Sequence, residues 1–152
     1  MVKDNFSGAY KNKRVLITGH TGFKGSWLAL WLESIGAEVF GLSLDQQELS
    51  HFNLLDLNID HRIGNVDDFD LFKNILTEVR PEIVFHLAAQ PLVRESYNNP
   101  IDTWKTNILG SANLLEIARE IDELNSRGVH PGMTWLEFRN AATGTVEEKY
   151  LF

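Results

Sequence analysis

The sequence contains no cysteine. It can form neither disulfides nor thiolate zinc sites, and a reducing compartment fits. Basic residues are the minority: 14 Lys and Arg stand against 21 Asp and Glu, a formal net charge of -7. General nucleic-acid binding needs a basic footprint and is not expected. An anionic ligand stays compatible, because backbone N–H groups bind phosphate without net positive charge. No run of about 18 apolar residues occurs, so no transmembrane helix and no membrane partner are expected. Met1 to Arg14 is polar and has no apolar leader core; no secretory signal is expected, and the cytoplasm is the expected address. The five histidines, His20, His51, His61, His86 and His130, show no compact metal spacing, so no metal site is expected. Repeats and low-complexity segments are absent too.

What is present suits one globular domain: 152 residues, 43% apolar and 23% charged. Arg14-Val15-Leu16-Ile17-Thr18 is an apolar run ending in a glycine-rich turn and reads as a buried strand. Leu28, Trp31, Leu32 and Ile35 then recur at helical spacing, with Gly36 as the stop. Glu38 to Leu44 returns to strand character, Asp45 to Asp60 reads mostly as loop, and His61-Arg62-Ile63 reads as a third short strand. Asp68 can cap a helix whose inner face is Phe72, Ile75, Leu76 and Val79, closed by Pro81. Ile83 to Leu87 is a fourth apolar strand; His86 on it reads as a hydrogen-bonded core residue. Pro100 precedes a long helix, with Trp104, Ile108, Ala112 and Leu115 on one stripe, ending near Glu120. The four tryptophans read mostly as core packing. Apolar strands alternating with helices predict a parallel sheet covered on both faces.

The three glycines after the first strand carry the chemistry. Gly19, Gly22 and Gly25 follow a predicted strand and open a predicted helix, the context that a phosphate-binding turn requires. Gly19 allows the tight turn, Gly22 lets backbone N–H groups approach phosphate, and Gly25 lets the helix pack closely on the sheet. The helix N-terminus favours the negative charge. The competing reading is a glycine-rich turn without a ligand. Asp45 stands 20 positions after Gly25, where an acid can bond the ribose 2′-hydroxyl of NAD, and no Lys or Arg lies between Lys24 and Arg62 to favour a 2′-phosphate. Asp45 as a simple turn acid, with Ser43 in the ribose position, is the alternative. Asn65 and Val66 follow the third strand, where an adenine would lie and an Asn carbonyl oxygen can accept from its amino group; an ordinary turn Asn is the alternative. Leu87, Ala88, Ala89 and Gln90 end the fourth strand, where the strand order of a doubly wound sheet reverses and ligands bind. Mere close packing of the alanines is the alternative there.

Several segments together resemble the extended short-chain dehydrogenase/reductase (NAD-dependent epimerase/dehydratase) family over about residues 10 to 120. Within it they resemble the CDP-glucose 4,6-dehydratase group. They are Gly19-His20-Thr21-Gly22-Phe23-Lys24-Gly25-Ser26-Trp27-Leu28, the stretch from Arg80 to Arg94, Asn99-Pro100, Thr106-Asn107-Ile108-Leu109-Gly110 and Asn113-Leu114-Leu115-Glu116. The resemblance implies a Rossmann fold with strand order 3-2-1-4, NAD as cofactor, and Thr21, Phe23, Lys24, Ala88, Gln90 and Asn107 lining its site. It also implies a lyase of deoxysugar synthesis: the sugar is oxidised at C4 by hydride transfer to NAD, water leaves across C5 and C6, and the hydride returns to C6. One small departure is Gly64-Asn65, where the family commonly has Gly-Asp.

The larger departure concerns the base, which in the family is the Tyr of a Tyr-x-x-x-Lys pair. Tyr10 is followed four residues on by Arg14 and Tyr97 by Ile101, while Tyr150 is two residues from the end of the sequence. No catalytic residue is therefore assigned. Residues 1–121 read as a dinucleotide-binding domain lacking its later strands. Residues 122–152 read as an atypical tail: a linker over Asn125 to Gly132, then a hairpin of Thr134 to Arg139 and Thr145 to Phe152, one arm of which pairs with the outer edge of the fourth strand. The expectation is cofactor binding without turnover, with CDP-glucose a substrate only if the missing half is supplied. An NAD-binding pseudoenzyme or interaction module, and a non-functional gene fragment, stay open beside it. A homo-oligomer through the helix near 102–119 or through the fourth-strand edge stays open; the family dimer that the resemblance implies uses that helix together with the catalytic helix, and half of that interface is absent.

Overall fold

The computed structural model describes residues 8–45 and 50–126. Four parallel strands form one sheet: β1 (Arg14–Thr18), β2 (Glu38–Ser43), β3 (Asp60–Ile63) and β4 (Ile83–His86). Their order is β3-β2-β1-β4, as expected. The register runs Leu16 against Phe40 and Val84, and Leu42 against Arg62. Alternation along β1 sends side chains to both faces. Leu16 joins Leu42 and Val84 under α3 (Phe69–Val79) and α6 (Gly110–Ser126). Val15 and Ile17 join Val39 under Ala29 and Leu32 of α1 (Phe23–Ser34). Two cores on two faces explain the apolar runs of β1 and β4, whereas the edge strand β3, Asp60-His61-Arg62-Ile63, has no buried residue and departs from the uniformly apolar strands expected.

The amphipathic pattern of α3 is realised in full. Asp68 caps it by accepting from the Leu71 N–H at 3.0 Å, a contact worth about 1 kcal/mol. Phe72, Ile75, Leu76 and Val79 are its buried residues. The stretch from Asp45 to Asp60 is not all loop, however. Ser50 caps the short α2 (His51–Leu55) through the Asn53 N–H. That turn of helix buries no residue fully, so it left no apolar period in the sequence. A further short helix, α4 (Val93–Asn98), also went unpredicted, and its outward-facing Val93 and Tyr97 show why.

The long helix after Pro100 is where the expected stripe fails. Trp104, Ile108 and Leu115 are 64%, 50% and 54% exposed, and Ala112 is exposed as well. The buried face is Asn113, Leu114, Ile117, Ala118 and Ile121. The chain runs through α5 (Pro100–Trp104), then a π-helical turn over Lys105–Leu109, then α6. A π turn inserts one residue into the helical repeat and rotates everything after it, so one straight stripe cannot serve both halves. Beyond it, Asn113 selects the inner face by donating from Nδ2 to the carbonyls of Val66 and Asp67, both at 3.1 Å. The helix continues to Ser126, past the end expected near Glu120 and into residues read as linker. Trp27, 49% exposed, joins Trp104 as a tryptophan outside the core. The expected hairpin of the tail lies outside the described residues, and so does its pairing with β4. Among the described residues β4 pairs with β1 alone, and no helix is long and apolar enough to cross a membrane.

Candidate dinucleotide-binding site

The sheet order reverses between β1 and β4, and a crevice at the carboxyl ends of the strands follows from that topology. Thr18, the last residue of β1, ties the two strands together there. Its Oγ1 lies 3.1 Å from the Leu87 N–H and 3.2 Å from the Ala88 N–H and accepts from both. With both lone pairs used, its own proton goes to Nδ1 of His86 at 2.8 Å. That sets the His86 tautomer with the proton on Nε2, a buried atom without a hydrogen-bond partner. His86 is thus hydrogen-bonded as expected, but half-buried rather than a core residue, and burial lowers its pKa to about 4.

The glycine turn fills the crevice. Gly19 has φ +71°, and a Cβ there would stand 2.8 Å from the backbone nitrogen of Ala88. A Cβ on Gly25 would lie 2.2 Å from the carbonyl oxygen of Gly19. Both contacts are backbone against backbone, so only glycine fits either position. Gly22 is the N-cap of α1 and makes no side-chain cap bond. The first N–H groups of α1 therefore point out of the turn without a capping oxygen, at the positive end of the helix dipole. Together these features give a tight turn at an open helix N-terminus, an arrangement able to accept an anion.

A cleft of about 240 Å³ opens beside the turn. Of the expected contacts, Thr21, Gly22, Asp45, Asn65, Val66, Ala88 and Ala89 line it. Thr21 Oγ1 is hydrogen-bonded to Ser43 Oγ, and Ser43 and Asp45 both line the cleft. Arg62, the next basic residue after Lys24, is engaged by Asp60 at 3.0 Å and Glu78 at 2.6 Å; those hydrogen bonds raise its pKa further. Phe23, 70% exposed, and Lys24 stand on the outer surface of the first turn.

Three expected contacts lie elsewhere. Leu87 packs into the core beneath α1. Gln90 and Asn107 clasp each other: the Gln90 N–H donates to Asn107 Oδ1 at 2.8 Å, and Asn107 Nδ2 donates to the Gln90 carbonyl at 3.1 Å. The Gln90 side chain is spent on Leu92 and Thr103. Thr106 stands in the cleft wall where Asn107 was expected. Sequence spacing also missed a hydrogen bond between His20 and His61, which no local pattern signals. Tyr10 packs against Trp31 and Phe85, and Tyr97 is 82% exposed; neither belongs to the cleft. No group of three or more His, Asp or Glu residues able to hold a metal ion occurs among the described residues.

Fold and cleft together define a doubly wound α/β domain of the Rossmann type with a candidate ligand cleft at its strand-order reversal. The comparisons with known proteins narrow the class. The family model for GDP-mannose 4,6 dehydratase matches residues 16–132, and the chain belongs to that family, one of the NAD-dependent epimerases and dehydratases. The CDP-glucose 4,6-dehydratase of Salmonella typhimurium is 46% identical over 129 residues, 83% of this chain and 35% of the relative. A GDP-mannose 4,6-dehydratase of Vibrio cholerae is 35% identical over 117 residues, 70% of this chain and 31% of the relative. Among solved structures, a Methanothermobacter thermautotrophicus epimerase aligns with TM-score 0.67 and 35% identity over 75% of this chain and 34% of its own. A Thermus thermophilus UDP-glucose 4-epimerase solved with NAD aligns with TM-score 0.63 and 31% identity over 72% and 34%. The chain spans about a third of the length of the curated relatives it matches.

Proposed function

We propose that this chain is the NAD-binding portion of a CDP-glucose 4,6-dehydratase, a cytoplasmic lyase of deoxysugar synthesis, and that alone it binds the cofactor without converting the sugar nucleotide. The observation that carries the reading is the turn at Gly19 and Gly25, closed to any Cβ, from which α1 starts without a side-chain cap. A helix N-terminus left open above a cleft at the strand-order reversal suits a dinucleotide diphosphate. A preference for NAD over its 2′-phosphate is supported by the acidic Asp45 and the hydroxyl of Ser43 in the cleft lining and by Arg62 being engaged by Asp60 and Glu78. Bound NAD would supply the hydride acceptor. The residues here bind and orient it, but the sequence has no Tyr-x-x-x-Lys pair to take the sugar proton. Calorimetric titration is expected to show saturable NAD binding, weaker NADP binding, and no 4-keto-6-deoxy product from CDP-glucose. Absence of NAD binding at millimolar concentration overturns the cofactor assignment; product formation overturns the inactivity.

A second reading, an interaction module, is favoured by the outward face of α5 and the π turn. Ile101, Trp104, Ile108 and Leu109 line an apolar groove of about 480 Å³. We propose that this face joins two copies of the chain, with the β4 edge as the competing contact. Sedimentation is expected to show a concentration-dependent dimer that the double variant W104E/I108E dissociates. A dimer that survives those charges places the contact elsewhere.

A further inference from the structure

The phosphate turn is anchored from beneath by two histidines on different elements. His20, the residue between Gly19 and Thr21, is fully buried, and its Nε2 lies 2.6 Å from Nδ1 of His61 on β3. Its ring lies across Gly41 of β2, where a Cβ would stand 2.4 Å from the imidazole. Phe52 of α2 closes the ring edge-on at 5.0 Å between centroids. A residue of the turn thus crosses one strand and is fastened to the next. Its neighbour Thr21 is fastened to the end of β2 through Ser43. Gly22, with the open end of α1, follows at once.

We propose that His61, which does not line the cleft, is a positioning residue: its hydrogen bond to His20 holds the phosphate turn in place and thereby sets cofactor affinity. This rests on the dinucleotide reading above. Two facing ring nitrogens at this separation require one donor and one acceptor, so the bond needs a polar atom at the position of His61 Nδ1. Asn at 61 can offer either a donor or an acceptor there. Phe keeps a ring against Phe52, now 5.4 Å from the His61 ring, and offers neither. Because His61 is exposed, these changes spare the core.

The test compares wild type, H61N and H61F by NAD titration at one fixed pH and at a temperature where circular dichroism shows all three folded. H61F is expected to bind NAD about 3- to 10-fold more weakly, the net worth of one hydrogen bond. H61N is expected to stay within about twofold of wild type. If Phe is not accommodated, H61A replaces it in the comparison. Wild-type affinity in H61F overturns the proposal, as does H61N binding as weakly as H61F, since the hydrogen bond is then not the cause. Wild type that binds no NAD overturns instead the cofactor reading on which the proposal stands.

Discussion

Acidification from about pH 7 to about pH 4 is expected to unfold this domain, because the fold holds two histidines neutral. Burial, and then the neighbouring His61, lower the pKa of His20 from 6.5 to about 4. Burial alone lowers that of His86 from 6.5 to about 4. A group whose folded pKa lies below its unfolded value takes up its proton more readily when the chain unfolds. Folding is therefore undisturbed above about pH 6.5 and loses stability steadily as the pH falls toward 4. Each histidine corresponds to about 3 kcal/mol across that window. Two such losses rival the entire stability of a small domain, about 5–15 kcal/mol. Glu82, held below its ordinary value by the Lys13 hydrogen bond, pulls the same way, but that pair is partly exposed and adds little. The check is the thermal midpoint by circular dichroism between pH 8 and 4, for wild type and for H86N. Asn at 86 can still accept from the Thr18 hydroxyl but takes up no proton. The wild-type midpoint should fall continuously below about pH 6.5, and the H86N curve should fall about half as far. A midpoint flat down to about pH 4.5 would mean that neither histidine is held neutral.

The elements that the sequence shows plainly are those in which local pattern and burial agree. Asp68 and the spacing of Phe72, Ile75, Leu76 and Val79 specify α3 without help from the rest of the chain. The apolar runs at Val15 and Val84 specify buried parallel strands because both faces of the sheet are covered. The glycine turn was legible for a related reason: its spacing is a backbone requirement, and the contacts of Gly19 and Gly25 are with backbone. Legibility ends where two patterns compete. After Pro100, Ala112 and Leu115 compete at helical spacing with Leu114 and Ile117. Periodicity cannot choose between the two rows; the π turn and the grip of Asn113 on Val66 and Asp67 do. It ends again where a contact spans the chain. Gln90 and Asn107 were expected beside the cofactor by family resemblance, and they hold each other across 17 residues. His20 and His61 meet across 41.

Replacing Gly25 by alanine is expected to abolish measurable NAD binding and to destabilise the domain by about 2–4 kcal/mol. The new Cβ would stand 2.2 Å from the Gly19 carbonyl oxygen and 2.7 Å from the His20 Cα. Neither neighbour is a side chain that can rotate away. Relief requires α1 to move off the turn by about 1 Å or more to reach ordinary contact distance. Such a shift separates the first N–H groups of α1 from the phosphate position, and hydrogen bonds to an anion do not survive that displacement. With each charge-assisted bond worth about 1.5–3 kcal/mol, losing two costs at least about 100-fold in affinity. The same shift lifts Ala29 and Leu32 from the core beneath them, and the stability loss follows from that. G22A is the matched control. Its Cβ would lie 3.3 Å from the Gly19 oxygen, and its φ of -69° suits any residue. Alanine there crowds the path of the phosphate while leaving α1 seated. G22A should therefore weaken NAD binding with little change in thermal midpoint, whereas G25A should lose both. G25A that keeps wild-type affinity would remove the diphosphate from this turn altogether.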